Sequence, residues 1–279
     1  MQKIYKYPSA LTIAGFDGSG GAGIQADIKT FSALGSFATS VLTALPVQNT
    51  QGVLNIYSIP VEAVREQIEA IMDDIFPGAI KIGMVHTAEL VECIVSTLKK
   101  YPRVPLVFDP VMVATSGHRL IEEKTIASII ELLFPLADVI TPNMDEAAIL
   151  AEMEVKDLND MYVAGQKILT LGCKSVLLKG GHLQSDTITS LYFQRDVDKP
   201  VEFSYSKFDT NNTHGSGCTL SSAIAACLSQ GRSLEEAVEL AQDYTHEAIR
   251  NGADVQTGKG NGPLNHFFNP QQLIKNEMV

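Results

Sequence analysis

The chain has 279 residues, 45% hydrophobic and 19% charged, a composition that fills a core and excludes a disordered or fibrous protein. Its formal net charge of −11 argues against nucleic acid and anionic membrane as partners, so a phosphate ligand must be met by backbone amides and a few placed cations. Four scattered cysteines without a C-x-x-C pair, and no signal-peptide core at the N-terminus, predict a reducing, cytoplasmic setting.

Residues 10–14 read as a buried strand, followed by a glycine loop and a helix over 24–34. Strands are expected at 37–45 and 53–58, and Val61, Val64, Ile68, Ile71 and Ile75 mark one face of a helix. Two more buried strands, 79–83 and 104–109, flank a helix over 89–99. A helix over 122–133 leads to a strand at 139–141; Glu131, Pro135 and Asp138 interrupt this apolar region, so it does not span a membrane. Asn143 then opens a further helix, and one over 157–171 precedes a strand at 176–179. Segments 187–194 and 201–208 alternate like a hairpin, and the last two helices begin near Gly217 and Ser233. Such alternation predicts one α/β domain over 1–279, with a mostly parallel central sheet and helices on both faces. Ligands of such sheets sit beyond the C-terminal strand ends, which singles out the loops starting at Gly15, Leu45, Gly83, Asp109, Thr141 and Lys179.

The most informative of these segments is Asn212-Thr213-His214-Gly215-Ser216-Gly217-Cys218-Thr219, set before an apolar helix. Gly215 and Gly217 let backbone N–H groups converge on an anion, and the helix dipole adds positive potential. That field is expected to lower the pKa of the Cys218 thiol. Gly18-Ser19-Gly20-Gly21-Ala22-Gly23 matches G-x-G-x-x-G, but 37–45 holds no acid for a ribose, so a dinucleotide site is disfavoured. A Walker A loop is absent as well.

Other motifs carry two readings each. Asp109-Pro110 ends a strand, where a carboxylate can face a divalent cation or simply cap a turn. Asn143 and Glu146 form a helix capping box on one reading; on the other, Glu146 holds magnesium through water. Lys179-Gly180-Gly181-His182 leaves a strand with a lysine able to reach a phosphate, or merely solvated. Gln48 offers a donor and an acceptor suited to the edge of a heteroaromatic ring, with Met84 and Val111 as apolar walls or plain core.

In order, Leu11-Thr12-Ile13-Ala14-Gly15, Asp17, Ser19-Gly20-Gly21-Ala22-Gly23-Ile24-Gln25-Ala26-Asp27, Gln48-Asn49-Thr50, Lys81-Ile82-Gly83-Met84, Thr141-Pro142-Asn143, Lys179-Gly180-Gly181-His182, the Gly215–Cys218 loop and Gly258-Lys259-Gly260 resemble one family. It is that of the hydroxymethylpyrimidine and phosphomethylpyrimidine kinases, with a ribokinase-like fold. The resemblance implies ATP-dependent phosphorylation of 4-amino-5-hydroxymethyl-2-methylpyrimidine and then of its monophosphate, with Mg2+, in a homodimer. It places Cys218 as catalytic base, Gly215 and Gly217 as anion hole, and Lys179, Asn143 and Thr213 at ATP. Asp109 and Glu146 would organise the metal, and Gln48, Asp27, Gly15, Met84 and Val111 the acceptor pocket. Residues 113–120, with Ser116-Gly117, are the expected lid. Phe16, Gly18 and Pro46 depart from the family pattern beside the pocket, which leaves a vitamin B6 kinase as the rival acceptor reading. A non-catalytic pyrimidine-binding regulator is disfavoured by the set Asp109, Glu146, Lys179 and Cys218.

Overall fold

A computed structural model describes residues 3–112, 121–181, 183 and 185–277; the expected lid over 113–120 and His182 lie outside the described residues. In chain order, β1 (Tyr5–Lys6) and β2 (Ser9–Ala14) lead into α1 (Gly23–Ala33), then β3 (Phe37–Leu42), β4 (Ala44–Asn49) and β5 (Gly52–Ser58). Next come α2 (Val61–Asp74), β6 (Ala79–Ile82), α3 (Ala88–Leu98), β7 (Leu106–Phe108) and α4 (Glu123–Ser128). These are followed by β8 (Val139–Ile140), α5 (Met144–Ala151), α6 (Leu158–Leu169), β9 (Ser175–Leu178), β10 (Thr187–Gln194) and β11 (Val201–Ser206). The chain closes with α7 (Ser216–Ser229), α8 (Leu234–Arg250) and β12 (Asn276–Glu277), which pairs with β1.

Among the described residues the main sheet has eight strands in the order β3-β2-β6-β7-β8-β9-β10-β11, and its first six run parallel. The order reverses between β2 and β6, so the crevice where such sheets bind ligands opens beyond Ala14 and Ile82. Helices α2 to α6 cover one face, with Leu11, Ile13, Ile80, Ile82, Phe108 and Ile140 pointing into that core. Helices α1, α7 and α8 cover the other, which receives Ala10, Ala79, Val107, Val139 and Leu177. Side chains alternate across a strand. Thr12, Lys81, Asp109, Thr141 and Lys179 therefore project toward the α1 and α7 side, near the C-terminal strand ends. Among the described residues no helix is long and apolar enough to cross a membrane.

Two elements depart from the sequence expectation. The strand expected over 37–45 ends at Leu42: the Thr43 N–H makes the last parallel rung to the Ala14 carbonyl (2.9 Å), its hydroxyl turns to the Met84 carbonyl (2.8 Å), and the Phe16 N–H skips to the Ala44 carbonyl (3.0 Å). The chain then leaves the sheet, and β4 pairs antiparallel with β5 in a separate hairpin. The helix expected over 122–133 is α-helical only to Ser128; a π-helical turn follows over Ile129–Leu133, then a 3-10 turn over Phe134–Leu136. Pro135 explains this, since its ring clashes with the carbonyl four residues back and it lacks an N–H to continue the ladder.

His266 is buried against the first turn of α7, its Nε2 3.0 Å from the Thr219 hydroxyl, and its carbonyl accepts from the Tyr244 hydroxyl (2.7 Å). Burial, with the Lys29 charge adding to it, pushes the imidazole down to about 4 from its usual 6.5. The unfolded chain thus binds a proton that the folded one refuses, so stability falls as pH drops through 6.5 and the loss is complete below about 4. We expect a contribution of about 3 kcal/mol across that window, read from urea unfolding at successive pH values. His266→Gln should flatten that part of the profile.

Candidate active site

The glycine loop after β2 is organised by Asp17. This fully buried carboxylate accepts the Ser19 N–H (2.9 Å) and hydroxyl (2.7 Å), the N–H groups of Gly21 (3.1 Å) and Ala22 (2.7 Å), and His214 Nε2 (2.9 Å). Burial opposes its charge. The bonds from His214, Ser19 and Ala22, with help from Gln48, nevertheless hold it well below the usual carboxylate range. His214 begins the turn that caps α7, so one carboxylate joins the first glycine loop to the Gly215–Gly217 loop. The two backbones touch: Gly215, at φ +82°, has no room for a Cβ, which would collide with the Gly21 carbonyl oxygen.

The N-terminus of α7 faces the ends of β7 and β9. A Cβ on Gly217 would lie 3.1 Å from Lys179 Nζ and 3.5 Å from Asp109 Oδ2, so ammonium, carboxylate and helix amides share one small space. Lys179 donates to Asp109 Oδ1 at 3.1 Å, and the Thr141 hydroxyl donates to the same oxygen at 2.9 Å. Burial works against charge on Asp109, but Lys179 and Lys81 outweigh it and keep the carboxyl ionised. Lys179 likewise stays charged against burial, through Asp109 and Glu146.

The Asn143–Glu146 capping box is formed. Asn143 Oδ1 accepts the Glu146 N–H (2.9 Å), and Glu146 Oε2 accepts the Asn143 N–H (2.8 Å). Glu146 also lies in the electrostatic neighbourhood of Asp109 and Lys179, and burial pushes it up to about 7, Lys179 opposing and Asp109 adding. Among the described residues no group of three or more His, Cys, Asp or Glu converges on a metal-sized space.

Cys218 follows Gly217 in the first turn of α7, beside the Gly23 N–H. The expected lowering of its pKa is not found: burial pushes the thiol up to about 11, with Lys81 pulling down and Asp27 and Asp109 pushing up. Burial near a helix end outweighs the helix field here. Beneath the thiol lies a fully buried ion pair, with Lys81 Nζ donating to both Asp27 oxygens at 2.8 and 3.0 Å. Thr12 (2.5 Å) and Ser222 (2.6 Å) donate to the same carboxylate, and Ser222 shares the Cys218 face of α7 one turn on. Asp27, expected in the acceptor pocket, is fully buried and paired here beneath Cys218.

Of the remaining expected residues, Gly15 and Met84 follow β2 and β6, where the strand order reverses. A Cβ on Gly15 would lie 3.4 Å from Met84 Sδ, so these two residues adjoin. Val111 follows Asp109 in a tight turn, its N–H bonded to the Asp109 carbonyl (2.9 Å). Gln48 is half-buried on β4, on the Asp17 side, while Thr213 is exposed at the turn into α7.

Comparison with known proteins settles the family. The family model described as phosphomethylpyrimidine kinase matches residues 17–265. The chain belongs to this family. It is 45% identical to the hydroxymethylpyrimidine/phosphomethylpyrimidine kinase of Rhizobium meliloti, over 92% of this chain and 96% of that one. A phosphomethylpyrimidine kinase structure from Clostridium difficile matches with a TM-score of 0.74 and 43% identity, covering 86% of this chain and 99% of that one. An ADP complex of Bacillus subtilis pyridoxal kinase matches with a TM-score of 0.86 and 34% identity, covering 94% and 98%. The chain is a phosphotransferase with the expected ribokinase-like architecture, and kinases of this family use ATP with a divalent cation.

The distant partners, His214 of Asp17 and Lys81 and Ser222 of Asp27, escape sequence reasoning because they lie far away in the chain. One signal was available: Lys81 stands in an otherwise apolar strand, and a charge in such a place demands a buried partner. Lys81→Met should destabilise the protein by about 3–5 kcal/mol, since it leaves the Asp27 charge unpaired. Adding Asp27→Asn should recover much of that loss. Urea unfolding of the single and double variants measures it, and strictly additive losses would mean the pair is not coupled.

Proposed function

We propose that this chain transfers the γ-phosphoryl group of ATP to the hydroxymethyl oxygen of 4-amino-5-hydroxymethyl-2-methylpyrimidine, and then a second one to the resulting monophosphate. The observation that carries this reading is the convergence of Lys179, Asp109 and the Gly215–Gly217 amides at the head of α7, in a chain of this family. Phosphoryl transfer asks mainly for positioning and for charge stabilisation on the moving group, which these donors supply. Lys179, Asn143 and Thr213 serve ATP. Gln48 reads the aminopyrimidine edge, with Gly15, Met84 and Val111 as walls and Asp27 as support. Asp109 and Glu146 fit Mg2+, which accepts few carboxylates and keeps its waters; a cation there would also relieve the burial penalty on Glu146. When bound, the cation neutralises charge on the phosphates.

In the first step the acceptor oxygen attacks the γ-phosphorus, the bond to the ADP oxygen breaks, and the hydroxyl proton passes to Cys218. In the second the attacking phosphate oxygen is already ionised and no base is needed. Since the free thiol is protonated at neutral pH, the first step depends on the small thiolate fraction. The sheet runs unbroken beneath both cores, which supports a single domain over 1–279. Exposed Leu45, Val47, Leu54 and Tyr57 on the β4–β5 hairpin support a homodimer, and free thiols on all four cysteines suit a cytoplasmic setting.

Single-turnover rates test the base. The first phosphorylation should speed up by about tenfold per pH unit between about pH 7 and 10, and Cys218→Ala should abolish that rise. At the alkaline end the variant should be slower by roughly two to four orders of magnitude in the first step and much less in the second. Equal losses in both steps by a folded variant would remove Cys218 from proton transfer.

Lys179→Ala should lower turnover about a hundredfold or more with every acceptor, pyridoxal included, because its contact is with the transferred group. A loss confined to one acceptor would place Lys179 in the acceptor pocket.

A further inference from the structure

The β4–β5 hairpin carries Gln48 outside the main sheet, so something other than the sheet must fix its height above the site. Its base is tied down where the Phe16 N–H reaches the Ala44 carbonyl (3.0 Å). Register slips between Val47 and Gln48, leaving Leu54 unmatched on the opposite strand. Such a bulge re-aims a side chain, and it also weakens the hairpin as a rigid support.

The tip is held by a segment more than two hundred residues away. Thr50 Oγ1 accepts the N–H groups of Lys259 and Gly260, both at 3.2 Å, and the Thr50 carbonyl accepts the Asn261 N–H at 2.9 Å. The fit leaves no space. A Cβ on Gly258, whose φ is +78°, would collide with the Thr50 hydroxyl, and one on Gly260 with the Thr50 carbonyl oxygen.

The other end of the same segment grips the anion-hole loop. The Gly262 carbonyl accepts the His214 N–H at 3.1 Å, and a Cβ on Gly262 would collide with Asn212 Oδ1. Asn212 in turn donates to the carbonyls of Gly252 (2.7 Å) and Val255 (2.6 Å). Residues 258–263 thus form a strap with the Gln48 hairpin at one end and the loop of Gly215 and Gly217 at the other.

We propose that Thr50 is a positioning residue for the acceptor: through the strap of residues 258–263 it sets the distance between Gln48 and the anion hole, and hence how well the pyrimidine hydroxymethyl group lines up for transfer. The proposal rests on the reading of Gln48 as the acceptor-recognising residue. Thr50 itself touches neither reactant.

Thr50→Val keeps the shape and removes the oxygen that two N–H groups share. It should raise KM for hydroxymethylpyrimidine about tenfold while KM for ATP stays near the wild-type value. Thr50→Ser retains the oxygen and should restore KM to within about twofold. In a Gln48→Ala background, Thr50→Val should add little, because both changes act through one contact. Thermal melts alongside confirm that each variant is folded. Should Gln48→Ala raise the acceptor KM and Thr50→Val leave it unchanged, the strap has no positioning role. Equal rises in KM for acceptor and ATP would also overturn it, in favour of a general loss of structure. A Gln48→Ala protein with wild-type acceptor KM would instead sink the pocket reading, and this proposal with it.

Discussion

The site depends on a single buried charge. Asp17 collects five hydrogen bonds, four from the loop that follows it and one from His214. A backbone loop rich in glycine has many conformations available, and choosing one costs entropy that local contacts alone rarely offset. An ionised carboxylate with several N–H donors provides charge-assisted bonds of the strength needed. Once that loop is set, Gly21 and Gly215 can pack backbone to backbone, and the amides at the head of α7 acquire a fixed direction.

Below this layer, the sheet supplies the charges in register. The alternation that sends Ile80, Ile82 and Phe108 into one core sends Lys81 and Asp109 toward α7, so a two-residue period decides which side of the molecule holds the chemistry. Lys81 and Lys179 then divide the work. The first is sealed beneath the thiol with Asp27, and the second stays at the cleft with Asp109.

Local patterns made most of the fold legible. The parallel strands announce themselves as short apolar runs, and the start of α5 as a capping box at Asn143; the boxes that open α6 at Asp157 and α8 at Ser233 emerge from the structure. The exit of the chain from the sheet at Thr43 left no such trace, since 41–45 is apolar apart from Thr43 whether or not the sheet continues. Gln48 was singled out for its chemistry, yet its seat on a separate hairpin was hidden. The head of α7 was evident from Gly215 and Gly217, but the ionisation of Cys218 was not. A helix terminus can be read from neighbours in sequence, whereas burial depends on Lys81, Asp27 and Asp109, which no local window contains.

The clasp between Thr50 and Lys259 also bears on how the protein is made. The two residues are 209 positions apart. At a synthesis rate of roughly 5–20 residues per second, the hairpin waits on the order of 10–40 s for the segment that pins it. His214, the distant partner of Asp17, arrives nearly as late. Until that segment emerges, a ribosome-bound chain carries the hairpin unclasped, with Leu54 and Tyr57 bare.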